Sequence, residues 1–101
     1  MAIKLSDTER ASLIRDCPAW THDSERDALT RTVKFTDFNA AFGFMTRIAM
    51  QAEKLDHHPE WSNVYNSVTV TLTTHDVDGL SDKDREMTRF IDALVDGSAN
   101  S

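Results

Sequence analysis

One cysteine among 101 residues rules out an internal disulfide framework. Cys17 stands beside Pro18 near apolar positions and reads as a small buried hydrophobe, not a catalytic thiol. No apolar run approaches the length that spans a bilayer, so no membrane-embedded helix is expected. Basic residues are in the minority: 11 Lys and Arg against 17 Asp and Glu give a formal charge of −6 and a pI near 5.0. They are also scattered, which argues against phosphate-backbone binding and predicts no direct nucleic-acid contact. Met1-Ala2-Ile3-Lys4-Leu5 turns polar at Ser6 and Asp7 before any apolar stretch develops. The expectation is therefore no secretory signal and a cytoplasmic location. No internal repeat or low-complexity tract is present.

The remaining composition, 40% hydrophobic and 28% charged, is ordinary for a globular domain. The length allows one domain, over residues 1–97, whose modest core would gain from oligomerisation, with 98–101 expected as a disordered tail. Ser6-Asp7-Thr8-Glu9 forms a capping box ahead of Leu13, Ile14 and Cys17 at helical spacing, and that helix ends near Pro18. From Trp20 to Phe35 the period becomes two: Leu29, Val33 and Phe35 share one parity, Thr30, Thr32 and Lys34 the other. A polar Asp23-Ser24-Glu25-Arg26 break precedes them, so a β-hairpin is predicted.

Thr36 is expected to open a long amphipathic helix with Phe38, Ala41, Phe42, Met45, Ile48, Ala49, Ala52 and Leu55 on one broad face and Glu53 at its edge. The other side carries Ala40, Gly43, Arg47 and Met50; a glycine inside a helix costs roughly 1 kcal/mol relative to alanine, which suggests close approach of a second subunit's helix. With Phe44 these residues would form an exposed apolar surface for self-association. Trp61 to Tyr65 reads as a short strand, and Val68, Val70 and Leu72 alternate with Thr69, Thr71 and Thr73 in a second. Asp78-Gly79 makes a turn, and Ser81 caps a last helix with Met87, Phe90, Ile91, Leu94 and Val95 as its stripe, ended by Gly97. The order α-β-β-α-β-β-α predicts an α+β fold: a four-stranded antiparallel sheet with helices packed on one face.

Three of the four histidines lie close together in sequence: His57 and His58 beside Glu53 and Asp56, and His75 beside Asp76. Imidazoles crowded among carboxylates build either a proton-transfer site or a metal site. Zinc ligands within one helix usually sit four apart, whereas His57 and His58 are adjacent. Pro59 pushes His58 toward extended backbone, where successive side chains alternate sides. One histidine would aim into a pocket and the other line its rim. The spacing thus favours acid–base chemistry over zinc, with a purely structural pair as the third reading.

Gln51-Ala52-Glu53-Lys54-Leu55-Asp56-His57-His58-Pro59-Glu60-Trp61, Asn63-Val64-Tyr65-Asn66, Thr74-His75-Asp76 and Gly79-Leu80-Ser81 together resemble pterin-4a-carbinolamine dehydratase. Phe35 through Arg47 also resembles that family's long helix, so the likeness runs from Trp20 to Val95. It implies dehydration of 4a-hydroxytetrahydrobiopterin to quinonoid dihydropterin and water, recycling the cofactor of aromatic amino acid hydroxylases. No metal and no cofactor are implied, since the pterin is the substrate.

By matched position, the resemblance makes His57 and His75 the acid/base pair. His58 would bind and orient the pterin, and Glu53 would hold an imidazole or ring nitrogen. Asp56, Thr73, Thr74 and Asp76 match the family's contact positions, with Thr73 and Asp76 replaceable where backbone atoms make the contact. Behind these stand Trp61, whose position at a strand start also suits a core residue, and Asp84, which also fits an S-x-x-D cap after Ser81. His22 reads as a solvent-facing strand residue. Animal relatives imply a second reading, a protein-interaction module acting as dimerisation cofactor or transcriptional coactivator through a protein partner. A related protein of molybdopterin metabolism is a third. A homodimer or homotetramer is expected.

Overall fold

The computed structural model describes residues 1–98. Helix α1 (Asp7–Asp16) leads into strands β1 (Thr21–Asp23) and β2 (Ala28–Lys34), then helix α2 (Phe38–Leu55). Strands β3 (Glu60–Val64) and β4 (Ser67–Leu72), a 3₁₀ turn (His75–Val77) and helix α3 (Asp82–Ser98) complete the chain. The four strands form one antiparallel sheet in the order β1-β2-β4-β3. The expected α+β architecture is the one observed, with the 3₁₀ turn as an addition.

Alternation decides the sheet's two faces. Leu29, Val33, Val68, Val70 and Leu72 are buried against the helices. Their neighbours in sequence turn outward, where the Oγ1 atoms of Thr30 and Thr71 lie 2.9 Å apart and those of Thr32 and Thr69 3.0 Å apart across the β2–β4 register. Arg31 shares the inward parity, so its charge needs a partner: Asp92 of α3 meets it at 2.5 Å and also accepts from Trp20 Nε1 at 2.7 Å. Beside this cluster the buried Cys17 thiol is pushed up, first by burial and then by the Asp92 charge, which leaves it unreactive.

Helix α1 carries the expected capping box: Ser6 Oγ accepts from Glu9 N–H while Glu9 Oε1 accepts from Ser6 N–H. Helix α2 starts later than expected. Its cap is Asp37, whose carboxylate accepts from Ala40 N–H at 2.8 Å, and not Thr36.

Of the expected face of α2, Ala41, Ile48 and Ala52 are buried and Met45 and Leu55 pack against the core, whereas Phe42 and Ala49 are exposed and Phe44 is buried instead. The helix is turned by roughly 50° from that expectation, at 100° per residue. Ala41 and Ala52 have small side chains that let the backbone approach the sheet, and Phe44 fills the space beside them, with its ring centroid 4.9 Å from that of Phe35. Phe44 is therefore core rather than part of an exposed surface. Phe38 and Phe42 remain about half exposed, as a tilted ring pair with centroids 5.8 Å apart.

Helix α3 buries Met87 and Ile91, and Phe90, Leu94 and Val95 pack against the core. Gly97 does not end it, because the last turn runs through to Ser98. Residues 99–101 of the expected tail lie outside the described residues. Among the described residues no helix is long and apolar enough to cross a membrane.

Truncating Phe44 to Ala should cost about 3–5 kcal/mol, as for other fully buried phenylalanines, read as a lower urea midpoint. A cost below about 1 kcal/mol, typical of surface positions, would return Phe44 to the surface.

Candidate active site

Helix α2 stops by reversing its backbone. Asp56 takes the left-handed conformation (φ 51°, ψ 48°), which a short polar side chain tolerates, and its N–H and that of His57 fold back onto carbonyls of the last turn. This hairpin throws His57 inward beneath the helix end. Pro59 holds the next residue extended, so His58 leaves on the other side. His57 is buried with Nε2 2.5 Å from Asp84 Oδ1, while His58 is exposed with Nε2 3.0 Å from Glu53 Oε1. The adjacent pair diverges as its sequence implies.

Asp84 has no exposed surface. Its Oδ2 accepts from Ser81 N–H at 2.9 Å and Thr74 Oγ1 at 2.6 Å, and Oδ1 faces His57. A threonine hydroxyl has one hydrogen, so Thr74 gives its own to Asp84 and accepts from Ser81 Oγ at 2.6 Å. One oxygen of Asp84 thus caps α3 and the other secures an imidazole. A carboxylate only accepts, which puts the His57 hydrogen on Nε2. Among the described residues no buried side-chain nitrogen or oxygen lacks a partner. Among the described residues no group hydrogen-bonds to Nδ1 of His57, which leaves it for the cleft that His57 lines.

His75 arrives from the far end of β4, as the first residue of the 3₁₀ turn. The loop it begins is closed by two backbone bonds between Thr74 and Gly79, at 2.8 and 3.2 Å. Gly79 sits at φ 157°, and a Cβ there would fall 2.5 Å from Asp27 Oδ2. That close approach serves Asp27, itself left-handed (φ 52°). Its carboxylate accepts from Arg10 Nε at 2.9 Å, Leu80 N–H at 3.0 Å and His22 Nε2 at 2.7 Å, and its carbonyl accepts from Thr73 Oγ1 at 3.1 Å. Burial raises the Asp27 carboxyl, but the bonds from His22, Leu80 and Arg10, with the Arg10 charge, outweigh it and lower its pKa. His22 is thus half-buried and bonded to Asp27, not solvent-facing as its strand position suggests. The left-handed turn at Asp27 brings the carboxylate back over the strand.

These devices converge on one open cleft of about 560 Å³. His57, His58 and His75 all line it, as do Asp56, Thr73, Thr74 and Asp76. Glu53 does not line it and touches it only through His58. Trp61 packs half-buried against the core and is not a cleft residue, while Asp84 lies behind the His57 wall. Glu25, Arg26, Glu60, Asp78 and Gly79 complete the lining, unforeseen from sequence. Nothing local marks Arg26 and Glu60, 34 positions apart; only the β1–β2–β4–β3 order brings them together. Among the described residues no three His, Cys, Asp or Glu side chains gather in a way that could hold a metal ion.

Known proteins are similar to this chain over most of its length. A chain from Burkholderia orbicola (strain MC0-3) is 54% identical over 95 residues, covering 94% of this chain and 93% of its own. One from Rhizorhabdus wittichii is 54% identical over 92 residues, covering 91% and 95%. Both carry the name "Putative pterin-4-alpha-carbinolamine dehydratase". The crystal structure of a transcriptional coactivator/pterin dehydratase from Brucella melitensis superposes with a TM-score of 0.85 at 46% identity, over 91% of this chain and 98% of that one. The family described as Pterin 4 alpha carbinolamine dehydratase matches residues 3–94, and the chain belongs to that family.

Proposed function

We propose that the protein removes water from 4a-hydroxytetrahydropterin, giving the quinonoid dihydropterin and so recycling the cofactor of aromatic amino acid hydroxylases. The observation that carries this reading is His57, held on the buried Asp84 at the wall of a cleft that His75 and His58 also line.

The reaction breaks the C4a–O bond and the N5–H bond and forms a C4a=N5 double bond. The departing hydroxyl needs a proton to leave as water, and N5 must lose one. Imidazoles serve both tasks near neutral pH. His57 takes the N5 proton, because the Asp84 carboxylate stabilises the imidazolium that forms. His75, exposed at the cleft edge, protonates the hydroxyl and regains its proton from solvent. His58, steadied by Glu53, orients the ring, and Asp56, Thr73, Thr74 and Asp76 offer polar atoms to its donors and acceptors. The scheme uses no metal and no cofactor, and it suits a cytoplasmic enzyme.

Generating the carbinolamine in situ with a hydroxylase and following quinonoid dihydropterin gives the test. His57→Ala and His75→Ala should each lower kcat by about 10²-fold or more, and Asp84→Asn should lower kcat more than it changes KM. Unchanged rates in both histidine variants would overturn the assignment.

A homodimer or homotetramer belongs to the same reading, supported by the exposed Phe38, Phe42 and Met50 on the outer side of α2. The coactivator part of the Brucella protein's name would use such a face toward a protein partner. Sedimentation velocity should show a lighter species for Phe42→Glu; an unchanged mass would put the contact elsewhere.

A further inference from the structure

We propose that the Arg26–Glu60 ion pair acts as a charge lock on the cleft: it makes the site select pterins with an uncharged side chain, and freeing Arg26 admits anionic ones. The inference rests on the pterin reading above.

Arg26 is the single lysine or arginine among the described residues that line the cleft, against Glu25, Asp56, Glu60, Asp76 and Asp78. Both of its terminal nitrogens are engaged. Nη1 and Nη2 donate to the two oxygens of Glu60 at 3.1 and 2.7 Å, a parallel fork that fixes the guanidinium plane. The pair joins the β1–β2 turn to the first residue of β3 and so spans the cleft wall. Both side chains are about half exposed, so water weakens the attraction, yet the two charges still cancel. Their mutual hydrogen bonds raise Arg26 and lower Glu60, so both stay ionised at neutral pH.

With Arg26 cancelled, the remaining carboxylates set the sign of the cleft. A negative field in a concave site repels a ligand carrying a carboxylate or phosphate, and among the described residues no second lysine or arginine lines the cleft to offset the repulsion. A hydroxyalkyl substituent has no such conflict and can donate to the same carboxylates. A released guanidinium, in contrast, is the side chain best matched to a carboxylate or phosphate. The lock therefore sets specificity without touching the reacting atoms.

Two probes with the same ring isolate the effect: 6-hydroxymethylpterin is neutral in its side chain and 6-carboxypterin is anionic. Titrated by ring fluorescence near neutral pH and at low salt, the wild type should bind the neutral probe about tenfold more tightly or better. Glu60→Gln should reduce that preference by about threefold or more. Glu25→Gln removes one carboxylate from the same turn without releasing Arg26 and should shift it less. In an Arg26→Gln background, Glu60→Gln should shift it no more than Glu25→Gln does, because no guanidinium is left to release. Equal shifts from Glu60→Gln and Glu25→Gln, or no shift from Glu60→Gln, would overturn the lock while leaving the pterin reading intact. Failure of the wild type to bind 6-hydroxymethylpterin would overturn both.

Discussion

A single buried carboxylate links the fold to the chemistry. Asp84 receives hydrogen bonds from the start of α3, from the end of β4 and from the loop after α2. Those segments come from three different parts of the chain, and each brings one piece of the cleft. An ionised group with no exposed surface is tolerated only when donors surround it, so the folded chain must bring these segments together. Removing the carboxylate would leave Ser81 N–H without a partner, at about 1–3 kcal/mol. It would also free the His57 ring to rotate.

Around this centre the site divides by burial. His57 is enclosed and rigid, with one nitrogen committed to Asp84 and the other open to the cleft. His58 and His75 are exposed and can exchange protons with water. Asp27 does for the opposite wall what Asp84 does for the first. Its bonds to Arg10, His22 and Leu80 tie α1, β1 and the entrance to α3 together, and Gly79 is the residue that leaves room for it. The lining itself is strongly acidic, so the cleft offers many acceptors and little free positive charge.

Where a local rule governs the outcome, the sequence was readable. Period two in Ser67–Leu72 gives the buried and half-buried alternation seen, and the boxes at Ser6 and Ser81 start the helices they signal. The divergence of His57 and His58 follows from Pro59. What stayed hidden depends on tertiary choice. Helix α2 has apolar side chains over a wider arc than a sheet can cover, and only the closeness allowed by Ala41 and Ala52 selects Phe44 over Phe42. His22 lies on a strand that looks exposed until the left-handed Asp27 folds its carboxylate back. Arg26 and Glu60 meet through strand order alone, and the bond of Asp84 to His57 is not visible in a motif that already explains it as a cap, where only its matched family position points to the site.

The orientation of the His57 ring is the most direct test of this account. Nitrogen-15 NMR of the imidazoles, recorded above the ordinary histidine titration range, reads which ring nitrogen carries the hydrogen. His57 should carry its hydrogen on Nε2, with a bare Nδ1. A His57 ring protonated on Nδ1 instead would mean that Asp84 does not hold it, and would contradict the proposed role of the buried carboxylate.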